Sequence, residues 1–125
     1  MPRFDPAEAR GGPLVRGFAD GQFVVEGERY RSVLLTPQSA MTWQPSALGD
    51  LAIEHLEPVL ALDPAPEFIL LGTGPTLTHP PRPLARSLTE RGIGLEVMDS
   101  RAAARTWAVL RAEERWIAAA LMPLL

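Results

Sequence analysis

The chain has no cysteine and no lysine. Without cysteine there is no disulfide, no thiolate nucleophile, no iron–sulfur ligation and no cysteine zinc site. Without lysine there is neither a P-loop cation nor a Schiff-base amine. All 12 basic side chains are arginine, which fits a GC-rich bacterial coding sequence better than a function. An excess of positive charge is also missing. The net charge is −3 and the pI about 5.3, so the broad basic face of a non-specific nucleic-acid binder is not expected. Long apolar runs are absent too. Phe68–Leu71 and Trp116–Met122 are far too short to span a bilayer, and the first residues lack the apolar core of a signal peptide. A cytoplasmic protein without a transmembrane segment is expected.

What is present suffices for a core. Hydrophobic residues make up 46% and charged residues 22% of 125 residues, the range of one ordinary globular domain. Residues 1–13, with three prolines and Gly11-Gly12, read as an irregular arm, and residues 14–125 as a single α/β domain. Asp20-Gly21 and Glu26-Gly27-Glu28 are turn signals, with extended runs around Phe18–Val25 and from Tyr30 to Leu35, so an N-terminal hairpin is expected. Residues 36–50 read as a loop with Trp43 as its one large side chain and the best candidate for an exposed anchor. Apolar residues at 53, 56, 59 and 60 predict a helix, kept short over 54–61 because Pro58 sits inside the stretch and proline is tolerated only in a first turn.

The second half alternates regularly. Phe68–Leu71 lies between a proline stop and Gly72, as suits a strand buried on both faces. A helix over 83–91 is closed by Gly92, and Ile93–Met98 reads as a second buried strand. Asp99 or Ser100 caps a helix over 101–113, with Ala103, Thr106, Trp107 and Leu110 inward and Arg101, Arg105 and Arg111 outward. Arg115–Leu121 is a last strand whose direction the pattern leaves open. Such alternation stacks crossover units into helix-covered layers, with the strands at 68–71 and 94–98 parallel.

No residue set marks a catalytic centre. G-x-S-x-G is absent, and Gly72-Thr73-Gly74 lacks the third glycine of a dinucleotide loop and runs into Pro75. That segment is either a structural turn or a loop whose amides meet a ligand outside a strand end. His79 lies just beyond it, whereas His55 sits among Glu54 and Glu57 on a helix; neither has triad partners. No convergent ligand set for a metal is present, and no cofactor is expected. Thr106 and Arg115 need polar partners if they face inward. Thr106 can bond its own helix carbonyl and Arg115 can pair with Glu113 or Glu96. Alternatively both join Gly72, Thr73, Gly74 and His79 around a ligand pocket at the sheet end.

One pattern runs through several blocks: Phe68–Gly74, Gly92–Met98, Ser100, Ala102-Ala103, Thr106, Leu110, Glu113, Arg115 and Ala118–Leu121. It resembles the Mth-type domain of unknown function, whose eukaryotic members are the respiratory complex I assembly factor 3 proteins. The resemblance covers roughly residues 14–123. Family members often carry Asn where this chain has Ala108 and Gly where it has Glu114. The resemblance implies a three-layer α/β fold with a mixed central sheet of about five strands and helices on both faces, the last strand inserted antiparallel. It also implies no established enzymatic activity and action through a protein partner. The candidate functions are therefore an interaction or assembly module, a small-molecule binder using the Gly72–Gly74 end, or a homo-oligomer joined through Trp43 or the hairpin. Monomer and small homo-oligomer both remain open.

Overall fold

The computed structural model describes residues 12–45 and 47–125, so most of the expected arm lies outside the described residues. Three short strands come first: β1 (Val15–Ala19), β2 (Gln22–Val25) and β3 (Glu28–Tyr30). They form an antiparallel sheet in the order β1-β2-β3. Both turns are two-residue loops with positive φ throughout: Asp20 at 53° and Gly21 at 75°, then Glu26 at 48° and Gly27 at 86°. That backbone matches the twist of the strands it joins, which is why Asp-Gly and Glu-Gly sit there.

The run expected as one strand from Tyr30 to Leu35 is broken. Ser32 turns aside to donate its hydroxyl to the Trp43 carbonyl, and the chain leaves the small sheet for the large one. There β4 (Val33–Leu35) pairs antiparallel with β5 (Ala40–Thr42), a strand inside the segment read as loop. Thr36 organises the turn between them, accepting at Oγ1 from the amides of Gln38 and Ser39. Trp43 is not an exposed anchor: it is buried, and its indole donates to the Leu121 carbonyl at 3.1 Å.

A 3₁₀ turn (Ile53–Leu56) leads into the one-turn helix α1 (Glu57–Leu60), with Pro58 in the first turn, where its missing amide costs nothing. Then come β6 (Phe68–Gly72), α2 (Arg82–Glu90), β7 (Gly94–Met98), α3 (Ser100–Ala112) and β8 (Ala118–Leu121). The large sheet has the order β5-β4-β8-β6-β7. β8 is inserted between β4 and β6, but it runs parallel to β6 and antiparallel to β4. Against β6, β7 and β8, the reversed strand is therefore β4 rather than the last one. The step from β6 to β7 runs outward and the return to β8 runs back past β6. Crossovers in opposite directions along the sheet put α2 and α3 on opposite faces, as two connections of the same hand require.

Residue parity then divides the core. Leu34, Ile69, Leu71, Ala118 and Ala120 face the side carrying α1 and α2, with Leu56, Val59, Leu84, Leu88 and Trp43. Val33, Leu35, Leu70, Ala119 and Leu121 face α3, with Ala103, Ala104, Trp107 and, from the small sheet, Phe23 and Val25. Every residue of β8 is buried, and three of its four side chains are alanine. Small side chains on both faces of this interior strand leave room for the layers to approach it. The architecture is thus a three-layer α/β domain with a mixed five-strand sheet, as expected.

Candidate functional site

Gly72, Thr73 and Gly74 lie where β6 ends, in a segment packed on the start of α3. The Thr73 amide donates to the Met98 carbonyl at 2.9 Å, and the Gly74 amide to Ser100 Oγ at 2.8 Å. Ser100 Oγ in turn donates to the Met122 carbonyl at 2.8 Å, while the Ser100 amide returns to the Gly74 carbonyl. The Met122 amide closes the circuit on the Gly72 carbonyl at 2.9 Å. Thr73 Oγ1 donates to the Thr76 carbonyl and accepts from the Thr78 amide, holding the proline-rich loop in place. Both amides that could have met a ligand are used within the chain. A Cβ at Gly72 would stand 2.8 Å from Ser100 Cα and 2.9 Å from a Leu121 methyl, so the glycine permits close packing.

The other expected site residues do not gather there. Thr106 is half-buried midway along α3. Arg115 lies at the opposite end of β6, forking onto Glu67 with Nε–O 2.9 Å and Nη2–O 3.1 Å. Its partner is Glu67 rather than Glu113 or Glu96. The guanidinium also lies over the Phe68 ring, 5.7 Å from the centroid. The hydrogen bond from Arg115 holds the Glu67 carboxyl below its ordinary range, and Glu67 raises Arg115 further. Both are surface groups, so this pair ties the loops before β6 and β8 rather than forming a buried centre.

Arg111 was expected outside but is buried. It stands on the stripe Ser100, Ala103, Ala104, Trp107 and Arg111, which is regular helical spacing. Its Nη1 donates to the Arg115 carbonyl beyond the helix end. Burial lowers its pKa from the usual arginine value, opposed by the nearby Glu114 charge. The periodicity already held this information; the charge concealed it. Glu114 occupies a left-handed position with φ 62°, immediately after the helix cap, and Arg115 donates back to Leu110. A helix ending in this way favours glycine. Ala108 borders a shallow groove between β1 and α3.

His79 is exposed and borders a groove of about 630 Å³ between α2 and β7, shared with Arg82, Ala85, Thr89, Leu95 and Val97. Of these residues only His79 was singled out by the sequence. A second, smaller depression of about 270 Å³ lies beside Arg31, Ser32 and Gln44 near Trp43. Among the described residues no group of three or more His, Asp or Glu is placed to hold a metal ion. No described helix is long and apolar enough to cross a membrane.

A three-layer α/β domain with its sheet end tied shut and its grooves on the outside defines the structural class. The chain belongs to the family described as protein of unknown function (DUF498/DUF598), whose model matches residues 15–122. It is 29% identical over 93% of its length to a zebrafish (Danio rerio) protein named NADH dehydrogenase [ubiquinone] 1 alpha subcomplex assembly factor 3, spanning 67% of that protein. To the Bos taurus protein of the same name it is 31% identical over 87% of its length, spanning 60% of that protein. Among solved structures, a Mth938-like domain from Bordetella pertussis superposes with a TM-score of 0.79 at 26% identity, covering 99% of this chain and 92% of that one.

Proposed function

We propose that the chain acts as an assembly module that works by contact with other proteins during the building of a respiratory complex of the complex I type. The observation that carries this reading is the similarity along nearly the whole domain to proteins named as complex I assembly factors. The geometry at the end of β6 supports it. There the Thr73 and Gly74 amides are engaged by Met98 and Ser100, which removes the donors that a small-molecule reading most needed.

The test is capture of the tagged chain, expressed at its native level in its own cells and cross-linked before lysis. Enrichment of complex I subunits over a tag-only control is expected. A capture in which those subunits are no more abundant than in the control would overturn the reading.

A further inference from the structure

We propose that the outer edge of β7 receives an extended segment of a partner protein, which adds a strand to the five-strand sheet beside α2. The proposal rests on the assembly reading and names the surface through which the contact is made. β7 is the last strand of its sheet, paired only with β6 among the described residues. The ladder to β6 uses alternate residues: the Gly94 amide reaches the Glu67 carbonyl at 3.1 Å, and the Met98 carbonyl accepts from Thr73 at 2.9 Å. By that alternation Glu96 also faces β6, and Leu95 and Val97 turn their N–H and C=O groups outward. These are two donors and two acceptors at strand spacing, the pattern that an added strand completes.

The side chains say what kind of strand fits. Leu95 and Val97 are half-buried on the α2 side and line the groove with Ala85 and Thr89, which suits apolar residues at alternate positions of the incoming segment. Arg82 stands exposed in the same groove at the start of α2, in no ion pair among the described residues. Glu96 is exposed on the other face of β7, likewise without an ion pair among them. The complementary segment has a basic residue across from Glu96, apolar residues on either side of it, and an acid towards Arg82. A second copy of the chain is a poor occupant. Antiparallel self-pairing that uses both Leu95 and Val97 sets Glu96 opposite Glu96 of the copy, and like charges placed so are destabilising.

A random peptide library is selected on the immobilised full chain, and the enriched peptide is synthesised and titrated against native and variant protein. Val97→Pro removes one outward donor and leaves the ladder to β6 its own bonds, as an edge position allows. It is expected to weaken the peptide at least tenfold while the far-ultraviolet circular dichroism stays native. Should Val97→Pro unfold, Glu96→Arg, a surface change, carries the test: it is expected to reject the basic peptide and select an acidic residue at the same place. Failure to enrich any peptide, or a peptide that binds both variants as tightly as the native chain, overturns the proposal. So does a dimer in light scattering that Val97→Pro dissolves. Repeating the cellular capture with Val97→Pro separates the two ideas. Capture of complex I subunits by the native chain and undiminished capture by the variant leaves the assembly role standing and removes the β7 contact.

Discussion

Ser100 holds three parts of the chain with one hydroxyl: it accepts from the Gly74 amide and donates to the Met122 carbonyl, both at 2.8 Å and both buried. Ser100→Ala leaves a buried donor and a buried acceptor without that partner. The expected loss is about 2–4 kcal/mol in urea unfolding. Gly72→Ala tests the same junction by volume, because the added methyl meets the Ser100 backbone as well as flexible side-chain atoms. A destabilisation of about 1–3 kcal/mol is expected. Glu114→Gly should act in the opposite sense. It relieves a left-handed backbone at the end of α3 and should raise stability by about 0.5–1 kcal/mol, less whatever its charge contributes beside Arg111. The junction itself was only half legible in the sequence. Gly72 and Gly74 signalled a turn after a buried strand, but the group that occupies the Gly74 amide lies 26 residues further on. Nothing local announces it.

The elements divide by how much of their signal is local. β6 and α3 were readable because a proline stop, a glycine and an N-cap bound them. Asp99 does cap α3, accepting from the Ala102 amide at 2.9 Å. β5 was missed because Ala40–Thr42 is short and lies among proline, serine and glutamine; it exists because β4 offers an edge to pair with. The direction of β8 also depends on what it pairs with, and there the expectation of an antiparallel insertion was half right. It runs antiparallel to β4 but parallel to β6. Trp43 misled for a related reason. A large side chain in a polar segment reads as exposed unless its distant acceptor, the Leu121 carbonyl, is known. Trp43→Phe keeps most of the ring's burial and removes that donor. It should cost about 1–3 kcal/mol, and urea unfolding monitored by circular dichroism is the check. Strand order is the least legible feature of all, and the exposed edge of β7 follows from it alone.

For the molecule as a whole, the Glu67–Arg115 fork joins the two loops that enter the parallel part of the sheet. Glu67 has a folded-state pKa below its unfolded value. Its contribution is therefore complete above the ordinary glutamate range, about pH 4.3, and fades as pH falls through the lower folded value. Native chain and Glu67→Gln should differ slightly in urea midpoint at neutral pH and converge in acid. A difference that persists unchanged below the folded-state pKa would contradict the ion-pair account. The role proposed for this chain is assembly through contact with other proteins, after the names of its relatives. Its most direct test is a strain lacking the chain, with complex I subunits followed by native electrophoresis of solubilised membranes. Partial assemblies are expected to accumulate at the expense of the complete complex, and the restored chain to reverse this. An unaltered distribution of subunits between partial and complete assemblies would contradict it.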